Sequence, residues 1–235
     1  MSHLQGRVVA VAGAAGGLGP SVARTLAEHG ASLALGERDQ ERLDRVVADL
    51  DMPGDRIDAG TVDLLDLTAA TGWADRVASR FGRVDALVHL VGGWRGGKPI
   101  AEAPLEDDEW LHNLLVRTVQ IASRAFLPAL ARAGGRFVLV SSAQAQRPSR
   151  TNAAYGAAKA AAEAWTLALA DELGQSGGTA NIVVVNAIVT PEMRAANPDK
   201  EYATFTDAGE IADAISLLLG DSGRKMNGQR LALHG

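Results

Sequence analysis

The chain has 235 residues, of which 47% are hydrophobic and 22% are charged, a balance typical of a folded globular protein and not of a disordered or fibrous chain. This length favours one compact domain over two. With 23 basic and 28 acidic side chains the net charge is -5. Because the sequence shows no basic stripe either, we expect no nucleic-acid partner.

The residue types also limit the kinds of site. The sequence contains no cysteine, which excludes disulfide frameworks, cysteine-based zinc sites and thiol nucleophiles, and we predict no metal site. The N-terminal residues lack the pattern of a secretion signal, and no run of about 18 apolar residues suggests a membrane anchor. We therefore expect a cytoplasmic protein without membrane attachment.

Short apolar runs alternate with longer segments of helical periodicity from one end of the chain to the other. Strands are predicted at residues 8–12, 32–36, 57–62, 85–91, 136–141, 181–188 and 230–234. Helices are predicted at residues 18–29, 39–50, 68–81, 107–132, 153–173 and 209–219. Because parallel strands need long crossovers, which helices supply, this alternation predicts one α/β domain over residues 1–235, a doubly wound parallel sheet of about seven strands flanked by helices.

The first predicted strand runs directly into a glycine-rich loop, residues 13–19, with the sequence GAAGGLG. Gly13, Gly17 and Gly19 would allow a tight turn, close approach of a pyrophosphate to the backbone and close packing of the next helix. The N–H groups of the loop and of the helix that starts at Leu18 would face the phosphates. Glycines also collect in ordinary turns, but this position between a strand and a helix predicts a dinucleotide-binding loop.

The second predicted strand ends at Glu37 and Arg38. Glu37 lies where an acidic side chain accepts hydrogen bonds from the adenosine ribose, and a carboxylate there would repel a 2′-phosphate, which favours NAD over NADP. Arg38 can instead hold a 2′-phosphate, so NADP stays possible. A merely polar strand end is the alternative interpretation of both residues.

A tyrosine and a lysine, Tyr155 and Lys159, stand four positions apart in a predicted helix. This spacing places the phenol and the ammonium one turn apart on the same face. The ammonium should stabilise the phenolate and lower the pKa of Tyr155, so that the pair acts as a general acid and base. Ser142, at the end of the fifth strand, lies at the sheet edge where ligands bind, and its hydroxyl could polarise a substrate carbonyl.

In order and spacing these motifs resemble the short-chain dehydrogenase/reductase family over essentially the whole chain, including the closing segment NGQRLALHG. The resemblance implies a Rossmann-like fold and reversible hydride transfer between a nicotinamide cofactor and a small ketone or secondary alcohol. It implies that Tyr155 donates or accepts the proton and that Ser142 orients the substrate oxygen. Lys159 would tune Tyr155 and bind the nicotinamide ribose.

The same resemblance extends the predicted cofactor site. It implies that Asp63 and Leu64 contact the adenine and that Thr190 meets the nicotinamide carboxamide. Gly92 corresponds to the glycine that closes the Asn-Asn-Ala-Gly stretch of the family. Family members commonly pair through their long helices, so a homo-oligomer, a tetramer or a dimer, is also expected.

Three departures from the family pattern stand out. The Asn-Asn-Ala-Gly stretch begins here with His89, which we interpret as a satisfied core histidine. Leu115 takes the place of the active-site asparagine; either a shifted helix lets Asn113 substitute, or the proton relay attributed to that asparagine is absent, which we favour. The Pro-Gly pair after the sixth strand is deleted, which predicts an altered nicotinamide pocket. The dinucleotide-binding scaffold occupies almost the whole chain and leaves only residues 191–205 as a short substrate loop.

Two alternatives to a ketone reductase remain open. Residues 91–97, VGGWRGG, are similar to a segment of dihydropteridine reductases, and Trp94 there could stack on a planar ring or simply anchor its loop. Ser142 favours the carbonyl-reducing branch over the pterin-reducing one. The second alternative is a dinucleotide-binding protein with little turnover.

Overall fold

The computed structural model describes residues 3–234. Seven parallel strands form its main sheet, in the order β3-β2-β1-β4-β5-β6-β9. These strands are β1 (Val8–Ala12), β2 (Ser32–Glu37), β3 (Ile57–Thr61), β4 (Ala86–His89), β5 (Arg136–Ser142), β6 (Thr179–Val185) and β9 (Arg230–Ala232). The central strands are rich in valine and buried on both faces, which is the pattern of a parallel sheet covered by helices. The predicted seven-stranded, doubly wound Rossmann-like sheet is confirmed.

Helices cover both faces of this sheet. The principal ones are α1 (Gly19–Glu28), α2 (Gln40–Leu50), α3 (Leu67–Phe81), α4 (Leu105–His112), α5 (Thr118–Ala133), α6 (Ala153–Gly174), α7 (Pro191–Ala196) and α8 (Ala208–Leu219). One buried cluster joins α1, α2 and α8 to one face of the sheet, and a second joins α3, α5 and α6 to the other. The strand order reverses between β1 and β4, and at such a reversal doubly wound sheets open a crevice for ligands.

The predicted helix over residues 107–132 is wrong in one respect. The structure divides this stretch into α4, a π-helical turn at Asn113–Arg117, and α5. The Thr118 hydroxyl donates to the carbonyl oxygen of Leu114 at 2.7 Å just where the turn ends. Such a turn adds one residue to a helix without ending it, so apolar periodicity does not reveal it, and π-turns often occur at functional sites.

The sequence prediction missed two short strands. The predicted strand over residues 181–188 is β6 followed, after a bend, by β7 (Ala187–Val189), which leaves the main sheet. β7 pairs in parallel with β8 (Phe205–Asp207). The expected substrate loop, residues 191–205, therefore contains α7 and is held at both ends by this second sheet.

One helical stretch, Leu105–Ala133, is long and apolar enough to cross a membrane by length and composition alone. More than half of its most apolar window is buried inside the protein, at 56%. This burial is what a core helix of a doubly wound fold requires, since α5 packs on the sheet through Val119, Ala122 and Phe126.

Candidate active site

A cleft of about 1270 Å³ lies at the carboxyl edge of the main sheet, across the reversal between β1 and β4. All but one of the residues predicted for the site line it: Gly13, Gly17, Leu18, Glu37, Arg38, Asp63, Leu64, Gly92, Ser142, Tyr155, Lys159 and Thr190. Gly19 is the exception, because it lies buried beneath the loop at the start of α1. One continuous cleft thus joins the predicted cofactor residues to the predicted catalytic ones.

The glycine loop has the geometry of a phosphate cradle. Gly13 has a φ of +80°, and a Cβ there would lie 2.9 Å from the backbone nitrogen of Val91. A Cβ on Gly19 would lie only 2.1 Å from the carbonyl oxygen of Ala14, so glycine is what lets α1 pack against the loop. No side chain caps the N-terminus of α1, but Pro20 has no N–H and the Gly19 N–H donates within the loop, so the Leu18 amide just before the helix is the one that would meet an anion. These residues fit the pyrophosphate of a dinucleotide.

Hydrogen bonds tie the end of β2 to the glycine loop. Glu37 accepts at Oε2 from the Ala15 N–H at 3.1 Å and at Oε1 from the Arg38 N–H at 2.7 Å. The Arg42 guanidinium donates to the carbonyl oxygen of Ala15 at 2.6 Å and also lines the cleft. Sequence reasoning missed Arg42. The available signal was Asp39, which accepts from the Arg42 N–H as the cap of α2 and so places this arginine in the first helical turn beside the loop.

The part of the cleft where the sequence predicts adenine contacts follows β3. Asp63 accepts at Oδ1 from the Leu65 N–H at 2.9 Å, which fixes the turn that leaves the strand. Leu64 is buried and Asp63 is exposed, and both line the cleft. The pair therefore offers an apolar wall beside a polar rim, as a heterocyclic base requires.

Ser142, Tyr155 and Lys159 converge at the other end of the cleft. Ser142 ends β5, and Tyr155 and Lys159 lie one turn apart on the cleft-facing side of α6. The Lys159 ammonium donates to the carbonyl oxygen of Val140 at 3.0 Å and lies 6.0 Å from the centre of the Tyr155 ring. The Ser142 hydroxyl accepts from the Gln144 N–H at 3.3 Å. This arrangement places a phenol, a hydroxyl and an ammonium around one small volume.

The expectation that Lys159 lowers the pKa of Tyr155 is wrong for this geometry. Burial raises the pKa of the Tyr155 phenol, and a hydrogen bond with Ser142 opposes the rise only in part. Lys159 is turned toward Val140, so it does not offset this loss of solvation. Burial also lowers the pKa of Lys159 to about 8, against the opposing charge of Glu163. At neutral pH Tyr155 is consequently a neutral phenol and Lys159 an ammonium.

His89 is buried as expected, but it is not satisfied. Neither ring nitrogen has a hydrogen-bond partner among the described residues. Burial, reinforced by the charge of Lys159, lowers the pKa of His89 to about 3. The imidazole is therefore neutral at the end of β4, under the floor of the cleft.

The π-helical turn decides which residues of its helix reach the cleft. Asn113, Leu114 and Thr118 line it. Leu115, at the place of the family asparagine, is instead buried with Leu111 in a small cluster. Asn113 is thus the amide that this helix presents to the cleft, and its substitution for the family asparagine stays a prediction.

Two tryptophans flank the outer part of the cleft. Trp94 is exposed, and its indole N–H donates to Asn152 Oδ1 at 2.8 Å. Trp110 lies under the Arg95 guanidinium, 4.2 Å from the centre of the ring. Trp110 and Asn152 were not singled out from the sequence, since nothing in their spacing connects them to Trp94. Trp94 therefore offers exposed apolar surface to a ligand, whereas Arg95 covers one face of the Trp110 ring.

Thr190 joins the cleft to residues 191–205, the predicted substrate loop. Its hydroxyl accepts from the Met193 N–H at 3.3 Å and caps α7, and Met193 also lines the cleft. Behind the cleft, Arg194 forms a two-pronged ion pair with Asp207, at 2.8 and 2.9 Å, and the Tyr202 hydroxyl donates to the carbonyl oxygen of Met193 at 2.9 Å. The loop is therefore folded back on itself and anchored to β8. Within residues 3–234 no three His, Asp or Glu side chains form a cluster able to hold a metal ion.

Fold, loop and cleft together match one class of protein. The family model for short chain dehydrogenases matches residues 7–201. The chain belongs to this family, whose members are oxidoreductases that use a nicotinamide cofactor.

Individual relatives and solved structures agree with this family assignment. The chain is 34% identical to 2,3-dihydro-2,3-dihydroxybenzoate dehydrogenase of Bacillus subtilis (strain 168) over 183 residues. These aligned residues cover 77% of this chain and 69% of that protein. A short chain dehydrogenase from Burkholderia cenocepacia J2315, solved in complex with NADP, is 33% identical, with a TM-score of 0.86 over 99% of this chain and 98% of that one. A blue fluorescent protein from a metagenomic library, solved in complex with NADPH, is 29% identical with the same TM-score, 0.86, and the same coverage of 99% and 98%.

Proposed function

We propose that the protein transfers a hydride between NAD(H) and a small ketone or secondary alcohol, with Tyr155 as general acid and base. The observation that carries this proposal is the convergence of Ser142, Tyr155 and Lys159 at one end of the cleft that begins at the glycine loop. The loop at Gly13 and Gly17 and the Leu18 amide before α1 would hold the pyrophosphate, and Glu37 the adenosine ribose. The cofactor, when bound, supplies or accepts the hydride.

The protonation states favour reduction at neutral pH. The raised pKa of Tyr155 keeps the phenol protonated, so it can donate to a carbonyl oxygen that gains negative charge. The Ser142 hydroxyl can donate to the same oxygen and orient the carbonyl. The Lys159 ammonium, which lines the same end of the cleft and donates to the Val140 carbonyl oxygen, would bind the nicotinamide ribose. Tyr155 acts in the reverse direction once deprotonated, so oxidation should need a higher pH than reduction.

The walls of the catalytic end favour an uncharged substrate with a flat apolar part. The described side chains there include Trp94, Trp110, Leu114 and Met193, together with the amides of Asn113, Gln144 and Asn152. Apart from Lys159, this end of the described cleft has no charged side chain to balance a substrate carboxylate or phosphate. Aryl ketones fit these walls, and so do quinones.

The experiment mixes the purified protein with NADH or NADPH and a panel of carbonyl compounds, and follows the loss of nicotinamide absorbance. We expect turnover of uncharged aryl or aliphatic ketones and little turnover of charged keto acids of similar size. Turnover of quinonoid dihydropterins alone would support the dihydropteridine-reductase-like alternative, which the position of Trp94 at the cleft favours. Cofactor binding without turnover across the panel would support the low-turnover alternative instead.

The cofactor preference can be tested at Glu37. A carboxylate beside the adenosine ribose repels a 2′-phosphate, whereas Arg38 and Arg42 nearby would attract one. Replacing Glu37 with alanine should therefore raise the ratio of kcat/KM for NADPH to that for NADH by about tenfold or more. Glu28→Ala, an exposed carboxylate at the end of α1 outside the cleft, is the matched control. An unchanged preference in Glu37→Ala would contradict the assignment of NAD.

Three further features belong to this proposal. The whole chain acts as one nicotinamide-binding domain with residues 191–205 as its substrate loop, supported by a sheet that draws strands from Val8 to Ala232. A homo-oligomer would pair through α5 and α6, and α6 exposes Ala157, Ala161, Ala164 and Ala168 on one side. The cytoplasmic location rests on composition and on the family alone.

A further inference from the structure

A third ionisable residue lies on the Tyr155–Lys159 face of α6. Glu163 follows Lys159 by one helical turn, the spacing at which side chains of a helix interact. Glu163 is 2% exposed and Lys159 is 7% exposed. Carboxylates and ammonium groups are almost never buried to this extent without a counter-charge. The proposed function assigns Lys159 a role but leaves Glu163 without one.

The surroundings of Lys159 make Glu163 its counter-charge. Among the described residues, the ionisable groups that face Lys159 are Tyr155 and Glu163 on α6 and His89 on β4. Tyr155 and His89 are neutral at pH 7, and β5 and β6 have no ionisable side chain at this end of the sheet. The single hydrogen bond of the ammonium goes to the carbonyl oxygen of Val140. Glu163 therefore supplies the negative charge that opposes the effect of burial on Lys159.

Glu163 is shared with a second cation from the end of the chain. Arg230 on β9 donates from Nε to Glu163 Oε2 at 2.6 Å. The other oxygen, Oε1, is buried and has no hydrogen-bond partner among the described residues. The Arg230 side chain is 39% exposed and the Glu163 side chain 2% exposed, so the carboxylate is paired toward the surface while it is itself buried, one helical turn from Lys159. The carboxylate thus pairs directly with a partly exposed guanidinium, and its charge also acts on the buried ammonium one turn away.

We propose that Glu163 is a positioning residue that keeps Lys159 charged at the working pH, and that Arg230 sets how much of the Glu163 charge the lysine receives. This inference rests on the proposed function, because it gives Glu163 a role through Lys159. Glu163 does not line the cleft. The catalytic end of the cleft is thereby linked electrostatically to the last strand of the sheet.

The two partners of Glu163 make opposite predictions. Glu163→Gln removes the counter-charge and should lower the pKa of Lys159 from about 8 by about one unit or more. Arg230→Gln leaves the full carboxylate charge to Lys159 and should raise the same pKa. A purely structural role for the ion pair predicts no such opposite movement. Glu172→Gln, an exposed carboxylate on the same helix, is the matched control and should leave the pKa unchanged.

Nuclear magnetic resonance measures this pKa without turnover. The chain has four lysines, Lys98, Lys159, Lys200 and Lys225, so a sample labelled with 13C-lysine gives few side-chain signals. The signal that disappears in Lys159→Met is the signal of Lys159. The protein is titrated from pH 6 to about pH 11, which spans the ordinary lysine value. If Glu163→Gln does not fold, Arg230→Gln alone carries the test.

The outcomes separate this inference from the proposed function. Opposite shifts of the Lys159 pKa in the two variants would support the inference, and in an active enzyme the alkaline limb of the pH–rate profile should move with them. The inference would be overturned if the Lys159 pKa moved in neither variant, or if it did not rise in Arg230→Gln. Shifted values in a protein without turnover would overturn only the proposed function.

Discussion

Replacing Tyr155 with phenylalanine should reduce kcat for carbonyl reduction by about 10²–10⁴-fold while NADH binding stays nearly unchanged. The substitution removes the hydroxyl but keeps the ring that packs at the catalytic end of the cleft. The phenol is the group at this position that is protonated at neutral pH, since burial raises its pKa. Steady-state kinetics together with NADH fluorescence titration measures both quantities.

The matched control uses the second of the two tyrosines in the chain. The Tyr202 hydroxyl donates to the carbonyl oxygen of Met193, and Tyr202 does not line the cleft. Tyr202→Phe should therefore keep most of the turnover. A Tyr155→Phe variant with full activity would contradict the role given to Tyr155.

Replacing Lys159 with methionine should abolish most turnover and, at the same time, stabilise the cofactor-free protein. Lys159 is buried, and its pKa is lowered from 10.5 to about 8. At pH 7 the folded protein holds this ammonium against the cost of burial, which a methionine of similar length avoids. The gain in the free energy of unfolding should be about 2–3 kcal/mol at pH 7.

The pH dependence gives the sign of this effect. Between about pH 8 and pH 10.5 the unfolded chain binds the Lys159 proton and the folded protein does not. The free energy of unfolding of the wild-type protein should therefore rise with pH through this window, and the Lys159→Met variant should lack that rise. Urea unfolding at pH 7 and pH 10.5 measures both, with the exposed Lys225→Met as control. A Lys159→Met protein less stable than the wild type at pH 7 would contradict the assignment of an unfavourably buried ammonium.

The alternating hydrophobic pattern of the sequence predicted the sheet, because the strands are short apolar runs separated by amphipathic helices. All seven strands of the main sheet lie at or near their predicted positions. The glycine loop and the Tyr155–Lys159 pair were also recognisable, since each depends on local spacing. The loop needs a strand before it and a helix after it, and the pair needs only one helical turn.

Features that depend on packing between distant segments could not be predicted from the sequence. The Glu163–Arg230 ion pair joins residues 67 positions apart, and no sequence pattern shows that β9 lies beside β6. The predicted direction of the Tyr155 pKa shift was wrong, because the spacing indicates a nearby ammonium but does not show how deeply the phenol is buried. The π-helical turn was missed because Leu111, Leu115 and Val119 fit an ordinary α-helix as well.

The most direct test of the central claim follows deuterium from 4-deuterated NADH into the product of a ketone that the assay panel identifies. If the cleft acts as a nicotinamide-dependent carbonyl reductase site, deuterium should appear at the carbinol carbon in the wild-type protein. Its rate of appearance should fall by about 10²–10⁴-fold in Tyr155→Phe. Tight binding of NADH with no isotope in any product of the panel would contradict the account, as would undiminished transfer in Tyr155→Phe.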